Sequence, residues 1–161
     1  MTGVPLPDLP GYLGPGQRLL GLDLGEKTIG LAISDSALRI ASPIDTIRRG
    51  KFTKDAEALK RLCRARKVGG LVLGLPVNMD GSEGPRCRSV RRFAANLRHQ
   101  AGFALPIAFW DERLSTAAVE RVLVREADMS RKRRAAVVDK MAAAYILQGA
   151  LDGLAQARGG S

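Results

Sequence analysis

The sequence predicts an α/β domain in which helices flank a mixed five-stranded sheet. A β-hairpin comes first, between Arg18 and Asp35, and a third extended segment follows it. Helical and strand-like patterns then alternate along the rest of the chain. Strands joined by hairpins pair antiparallel, whereas strands joined through helices pair parallel, so the sheet must be mixed. A chain of 161 residues most simply forms one domain with one core.

The hairpin contains the first candidate functional residue, Asp23. A leucine-rich strand ends at Asp23, Leu24 to Lys27 supply the turn, and an alternating second strand runs from Ile29 to Ser34. A carboxylate at the end of an apolar strand is costly to bury unless a cation meets it. One interpretation is therefore a divalent metal at Asp23. The other is that Asp23 accepts hydrogen bonds from the amides of its own turn.

The composition favours a polyanionic partner. The net charge is +10 and the pI is near 10.4, which favours nucleic acid ahead of a membrane surface. A solvated basic surface without a partner is the alternative.

No apolar run approaches about 18 residues, so no membrane span is expected, and no signal peptide is recognisable. Cys63, Cys87 and His99 lack zinc-site spacing. The thiols are expected to be reduced, in a cytoplasmic protein.

Both ends of the chain are predicted to lack regular structure. Residues 1–17 are rich in proline and glycine, which is typical of a flexible tail. Residues 153–161 are expected to form a second flexible tail. The folded domain is therefore predicted to span residues 18–152.

The first helix is predicted between two strands. The extended segment Ile40–Ile47 is interrupted by Pro43, which suits an edge strand or a bulge. Thr53 is a plausible N-cap of the helix, and Gly69–Gly70 are expected to stop it. The apolar run Leu71–Leu73 is typical of a strand covered on both faces.

A long glycine-rich loop, Gly74–Pro85, follows that strand. Loops of this length often carry function. Ser82 is predicted to cap the next helix, with Pro85 in its first turn. Free amides at a helix start attract anions, so Ser82, Gly84 and Arg86 are candidates to hold a substrate phosphate. An ordinary capped loop is the alternative.

The helix after the loop has an apolar face and a basic one. Val90, Phe93 and Leu97 share one side, and Arg88 and Arg92 lie opposite. The two arginines are candidates for substrate contact. A solvated helix exterior explains the same pattern.

The remaining predicted elements are one strand and two helices. The strand covers Leu105–Trp110, and Ser115 or Thr116 caps a helix after it. A last helix, which follows a basic run at Arg131–Arg134, extends to about Leu151.

Acidic side chains occur where apolar patterns would exclude them. Asp111 and Glu112 both follow the last strand, but neighbouring strand residues face opposite ways, so only one can share a site with Asp23. Asp139 lies in the last helix on a stripe of small residues, although it could instead pair with Lys140. Three clustered acids would repel one another, and Mg²⁺ or Mn²⁺ would relieve that repulsion. Two such ions can activate a water and stabilise the leaving oxygen of a phosphodiester.

Four segments together resemble the YqgF family, whose members are described as Holliday junction resolvases and as nucleases that mature the 16S ribosomal RNA precursor. The segments are GLDLGEKTIGLAISD, LPVNMDGSEGPRCRSVRRFAANL, WDERLST and VDKMAAAYILQGALD, and the resemblance covers residues 18–152. It implies a ribonuclease H-like fold. It also implies that Asp23, Glu112 and Asp139 are catalytic acids that bind Mg²⁺ or Mn²⁺, which decides for Glu112 over Asp111.

Six further residues are expected to contact the substrate: Lys27, Ser82, Arg86, Arg88, Arg92 and Arg113. The chain departs from the family pattern at one position. Members of the family usually have arginine after the lysine of the first segment, and this chain has Thr28. The difference affects any backbone contact made there and leaves the three acids unchanged.

The expected function is a metal-dependent endonuclease that cleaves structured nucleic acid, at the 5′ end of the 16S rRNA precursor. The alternatives are a Holliday junction resolvase and a non-catalytic nucleic-acid-binding module. DLGEKTIG also resembles the phosphate-holding loop of the actin and sugar kinase group, but those proteins need two such domains.

The expected partners are pre-rRNA or branched DNA and ribosomal particles, with no membrane. A junction resolvase would require a homodimer, whereas an RNA-trimming enzyme could act as a monomer.

Overall fold

The computed structural model describes the backbone of residues 3–114 and 131–159, and the side chains of 3–114 and 140–157. The strands are β1 (Arg18–Leu24), β2 (Thr28–Ser34), β3 (Ala41–Arg48), β4 (Val68–Leu75) and β5 (Ile107–Asp111), and the α-helices are α1 (Phe52–Ala65), α2 (Pro85–His99) and α3 (Arg131–Gly159). Two 3₁₀ helices cover Leu6–Tyr12 and Glu112–Leu114.

The strands form one mixed sheet in the order β3-β2-β1-β4-β5. β1 pairs antiparallel with β2, and β2 with β3, whereas β1–β4 and β4–β5 are parallel. The predicted five-stranded α/β fold is confirmed. Pro43 lies on the edge strand opposite a register shift between Leu31 and Ala32, because proline cannot donate to a regular ladder.

Alternation along the strands sends side chains into two apolar layers. Leu20 and Leu22 of β1 pack in the layer under α1 and α2, whereas Leu19 packs in the layer under α3. Every residue of β4 is buried. The prediction of a strand covered on both faces is therefore confirmed.

Helix α3 approaches the sheet closely at Gly21. A Cβ atom at this position would lie 2.8 Å from Leu147 Cβ and 3.2 Å from the Ala143 carbonyl oxygen. Farther along the helix, the Ala41 amide donates to Gln148 Oε1 at 2.9 Å. Because Ala41 pairs with the end of β2, beside the start of β1, α3 runs opposite to β1.

The prediction that residues 1–17 hold no regular structure is wrong. Leu6–Tyr12 form a 3₁₀ helix, and Leu9 is fully buried against the α3 layer. The Val4 amide also donates to the Ile107 carbonyl at 2.8 Å. Pro7 is tolerated because the first turn of a helix leaves its amides unpaired within the helix. Pro10 lies inside the helix, where its carbonyl accepts from the Leu13 amide at 3.1 Å.

The helix at the other end of the chain is longer than predicted. It reaches Gly159 rather than about Leu151, and Leu154 within it is buried. The prediction that a flexible tail begins at residue 153 is therefore wrong as far as Gly159, because Leu154 packs in the apolar layer between α3 and the sheet. The domain boundaries at residues 18 and 152 stay a prediction.

Two predicted caps are also wrong. Helix α1 begins at Phe52 after Lys51, not after Thr53, because the buried Asp55 carboxylate accepts from the Gly50 amide and organises the entry. Helix α2 begins after Gly84 rather than Ser82. Gly69–Gly70 do not stop α1 but belong to β4.

The helix predicted to begin at Ser115 or Thr116 lies outside the described residues, as do the side chains of Arg131–Arg134. None of the described helices combines the length and the apolarity that crossing a membrane requires.

Candidate active site

Asp23 and Glu112 lie on the same face of the sheet, the face that α3 covers. Ala108 and Trp110 of β5 pack in the α3 layer, and alternation brings Glu112 to that side. Asp23 shares its side of β1 with Leu19, which also packs in the α3 layer. Both acids stand at the carboxyl ends of parallel strands, which we call the acidic end of the sheet.

Gly74 of β4 separates the two acids. Leu22 pairs with Leu73, and Gly74 pairs with Trp110, so Gly74 lies between the strands that carry Asp23 and Glu112. A Cβ atom at position 74 would lie 2.9 Å from Glu112 Cγ and 2.6 Å from Ile146 Cδ1. The absence of a side chain therefore makes the room that the Glu112 side chain occupies.

The electrostatics of Glu112 reflect this position. Burial first, and the negative charge of Asp23 second, raise the pKa of Glu112 from 4.5 to about 7. Arg86 at the start of α2 acts in the opposite direction, and Asp111 adds a smaller upward effect. Two carboxylates that disfavour each other's charge form a site in which a cation would be stabilised.

Asp111 faces away from this pair and has a partner of its own. Its carboxylate accepts from Arg113 Nη2 at 2.6 Å and from the Arg113 amide at 2.9 Å. The hydrogen bond from the Arg113 side chain is the main reason that the pKa of Asp111 is lowered. Asp111 is therefore separated from the pair formed by Asp23 and Glu112.

Asp139 lies in α3, one helical turn before Ala143. Ala143 lies beside Gly21, and α3 runs opposite to β1, so the backbone at residue 139 is at the level of the acidic end. Its side chain is outside the described part of the chain. Among the side chains that are described, no three His, Cys, Asp or Glu residues are grouped as a metal site.

The two described acids fit a hard divalent cation. Their donors are carboxylate oxygens, which Mg²⁺ and Mn²⁺ prefer, and the bare backbone of Gly74 lets the Glu112 side chain lie over β4, between β5 and the strand that carries Asp23. Burial and the charge of Asp23 raise the pKa of Glu112, and a bound cation would offset the effect of Asp23. These features are those expected of residues that hold a metal.

Of the residues predicted to bind the substrate, Arg86 has a charge that acts on Glu112 and lowers its pKa. Arg88 and Arg92 are exposed on the outer face of α2, and Lys27 is exposed in the β1–β2 turn. All four side chains are therefore open to a polyanion.

Ser82 and Arg113 have partners within the protein. The Ser82 hydroxyl donates to Asp80 Oδ1 at 2.6 Å and lies 3.1 Å from Asn78 Nδ2. Arg113 binds Asp111 and reaches the Met79 carbonyl with Nη1 at 3.4 Å. Arg113 thereby ties the Gly74–Pro85 loop to the end of β5.

Sequence reasoning missed Arg49, which supports the turn that follows Asp23. Arg49 Nη1 donates to the Gly25 carbonyl at 2.6 Å, and the Arg49 amide donates to the Lys27 carbonyl at 2.8 Å. Its guanidinium lies over the Phe93 ring, 5.6 Å from the centroid. Arg49, Gly25 and Arg86 line a cleft of about 190 Å³. The only feature of the sequence that could have indicated this role is that Arg49 is a basic residue directly after β3.

This chain is similar to a known protein family and to named relatives. The family model described as "RuvX: Holliday junction resolvase" matches residues 17–153. Two relatives, both named "Putative pre-16S rRNA nuclease", come from Phenylobacterium zucineum and Paramagnetospirillum magneticum. The first is 62% identical over 96% of this chain and 98% of its own length. The second is 68% identical over 90% of this chain and 92% of its own length.

Two solved structures share the fold. Thermus thermophilus RuvC in complex with a Holliday junction substrate superposes with a TM-score of 0.52 and 13% identity, over 89% of this chain and 96% of RuvC. The yeast mitochondrial Holliday junction resolvase Ydc2 superposes with a TM-score of 0.53 and 14% identity, over 96% of this chain and 86% of Ydc2. The ribonuclease H-like fold implied by the sequence resemblance is confirmed.

These findings assign an enzyme class, a hydrolase that acts on phosphodiester bonds. The family match covers most of the chain, and the identities of 62% and 68% extend nearly end to end. This chain therefore belongs to the RuvX (YqgF) family.

Proposed function

We propose that this chain is a metal-dependent endonuclease of structured nucleic acid, and that its substrate is the 16S rRNA precursor at its 5′ end. The observation that carries the nuclease activity is the pair of carboxylates, Asp23 and Glu112, on either side of the bare backbone of Gly74. The name shared by the relatives supports the choice of RNA.

Asp23, Glu112 and Asp139 are the residues proposed to hold Mg²⁺ or Mn²⁺. Such ions supply an activated water and stabilise the leaving oxygen of a phosphodiester. Glu112 contributes a carboxylate that is partly protonated near neutral pH when no cation is near, because its pKa is about 7. Binding of a cation therefore releases a proton from this site.

The basic residues are proposed to position the phosphate backbone. Arg86 stands at the start of α2, where helix amides and a guanidinium both attract a phosphate. Arg88 and Arg92 extend the positive surface along α2, and Lys27 extends it across the β1–β2 turn. Ser82 and Arg113 contribute from the Gly74–Pro85 loop and the end of β5.

The proposed setting is the cytoplasm, on ribosomal particles that still contain precursor RNA. A single cut at one end of an RNA requires one active site, so a monomer suffices.

The second candidate is a Holliday junction resolvase, which the description of the matching family favours. Two symmetric cuts in a junction require two active sites, so this activity predicts a homodimer. A non-catalytic binding module is less consistent with the chain, because all three acids are present.

Cleavage assays separate these candidates. The protein is incubated with Mn²⁺ and a precursor rRNA fragment that spans the 5′ end, or a four-way DNA junction, and the cuts are located. We expect cuts in the RNA that the Glu112→Gln variant does not make. Symmetric cuts in the junction alone would favour the resolvase, and no cuts in either substrate would favour the binding module.

A further inference from the structure

A cavity of about 730 Å³ lies at the opposite end of the sheet from the acids. Val68, which pairs with Arg18 at the start of β1, lines it. Asp23 is five residues farther along β1, so about 17 Å of strand separates the two sites. The volume is within the range of pockets that hold a small organic group, ~300–1,000 Å³.

The cavity has an apolar floor. Cys63, Val68 and Phe103 line it and are each at most 4% exposed. Burial raises the pKa of the Cys63 thiol to about 12, so the sulfur is neutral at physiological pH. Gln17 adds a polar group at the wall, where its Oε1 accepts from the Gly14 amide at 2.8 Å. That bond orients the carboxamide, whose nitrogen can donate to a carbonyl of a ligand.

The mouth of the cavity is basic. Lys60, Arg64 and Lys67 line it, and the latter two are exposed. Among the described ion pairs, one involves a residue of this rim: Lys60 Nζ lies 3.8 Å from Glu57 Oε1. An apolar floor under a cationic rim matches a ligand that joins a flat ring to an anionic group, as a nucleotide does.

Exposed basic side chains lie along α2, between the cavity and the acidic end. Helix α2 has 15 residues and so spans about 22 Å. It begins at Pro85, next to Arg86, whose charge acts on Glu112, and it ends near Phe103, whose amide donates to the Leu97 carbonyl. Arg88 and Arg92 are exposed between these ends. A nucleic-acid backbone bound along α2 would therefore reach the cavity.

We propose that this cavity holds an unpaired nucleotide of the nucleic acid on which the active site acts, with the base on the apolar floor and its phosphates on Arg64 and Lys67. The inference rests on the proposed function for its choice of ligand class. It adds a specificity that the acids alone do not supply, namely a preference for substrates in which a single-stranded extension adjoins a duplex.

The test measures binding without cleavage. A fluorescein-labelled RNA duplex with a single-stranded extension, on either the 5′ or the 3′ side, is compared with the blunt duplex of the same sequence in metal-free buffer by fluorescence polarisation. We expect the parent protein to bind one extended duplex about tenfold more tightly, the typical gain from one stacked base.

Two variants test the cavity independently. Ala104→Trp fills the mouth from an exposed position, and Arg64→Ala with Lys67→Ala removes two rim charges. Both should abolish the preference for the extended duplex, and Ala104→Trp should leave affinity for the blunt duplex unchanged. The matched control is Arg61→Ala with Arg66→Ala, which removes two exposed charges from the same helix end outside the cavity. It should keep the preference.

Four outcomes would overturn the inference. The parent protein could bind both duplexes equally, Ala104→Trp could keep the preference, the control could lose it as fully as the rim variant, or the rim variant could keep it. A rim variant that keeps the preference but melts at a lower temperature would show that Arg64 and Lys67 only neutralise the end of α1. Because cleavage plays no part, a protein that keeps the preference but cuts nothing would refute the proposed function and support this site.

Discussion

The Glu112 side chain lies over the α-carbon of Gly74, where a Cβ atom would come within 2.9 Å of Glu112 Cγ and 3.1 Å of Glu112 Cδ. A glycine in the middle strand of the parallel part of the sheet thus determines where a carboxylate from the neighbouring strand can stand. Ile146 of α3 would meet the same Cβ atom at 2.6 Å. The position of Glu112 and the docking of α3 therefore depend on one residue.

Gly74→Ala should lower both activity and stability. The added methyl would push Glu112 and Ile146 apart, and displacement of a catalytic group by about 1 Å can cost about a hundredfold in rate. We expect kcat to fall by about that factor and the melting temperature to fall as well. Gly50→Ala is the control, because no atom lies within 4 Å of a Cβ there. Parent-like cleavage by Gly74→Ala would contradict the proposed role of this glycine.

Substitutions of the three proposed metal ligands should have non-additive effects on the rate of cleavage. If Asp23, Glu112 and Asp139 serve one step, then Asp23→Asn, Glu112→Gln and Asp139→Asn should each nearly abolish cleavage. Double variants should be hardly slower than single ones. Single-turnover rates with Mn²⁺ measure this, and rate losses that multiply would indicate separate roles.

The same variants should respond to metal differently from the parent. Loss of one of several crowded charges relieves repulsion, so each variant should be at least as stable as the parent without metal. Mn²⁺ should raise the melting temperature of the parent and raise that of the variants less. Asp111→Asn, in which only the pair with Arg113 is lost, should keep the response to Mn²⁺. A loss of about 3 kcal/mol or more in metal-free Asp139→Asn would show that Asp139 is a buried ion-pair partner.

The stability of the metal-free protein should depend on pH through Glu112. Its pKa in the folded protein, about 7, is above its ordinary value of 4.5. Between these pH values the folded state holds a proton that the unfolded chain releases. The free energy of unfolding should therefore fall as pH rises through this window, by at most about 3 kcal/mol.

Urea unfolding across this window measures the effect. Glu112→Gln should flatten the dependence, because glutamine does not titrate. Mn²⁺ should stabilise the parent more at about pH 8 than at about pH 5, since the ligand must lose its proton to bind. An equally steep pH dependence in Glu112→Gln would assign the effect to another group.

Binding to nucleic acid should be dominated by phosphate contacts. If about five phosphates are neutralised on duplex DNA, log K should fall against log salt with a slope of about −4.5. Arg88→Ala with Arg92→Ala should reduce that slope by about 2 if both arginines contact phosphates. A flat salt response would contradict phosphate-dominated binding, and an unchanged slope in the double variant would show that this face of α2 is merely solvated.

The sheet was predictable where the determinants are local. The hairpin from Arg18 to Asp35 follows from its apolar alternation and turn, and the edge position of β3 follows from Pro43, which cannot donate to a neighbour. Residues that are close in the chain carry this information. The starts of α1 and α2 were not predicted, because Asp55 accepts from the Gly50 amide ahead of α1 and the Ser82 amide and hydroxyl both donate to Asp80 within the loop.

The site was predictable in part. Alternation alone shows that Asp111 and Glu112 face opposite ways, but not which one shares a face with Asp23. That depends on Trp110 packing under α3, a contact between distant segments. The roles of Gly74 and Arg49 depend on similar contacts across strands and helices, so neither residue could be identified from its neighbours in the chain. The family resemblance supplied the choice of Glu112.

The bond between Gln148 and the backbone of Ala41 joins residues 107 positions apart. Such long-range contacts form late, because the chain must close a large loop before they contribute. Helix α3 also contains Asp139. If Asp139 acts with Asp23 and Glu112 as proposed, a chain with the hairpin formed and α3 undocked would lack one of the three acids at the acidic end. Cleavage would then report that α3 has docked, whereas binding through surface charge would not.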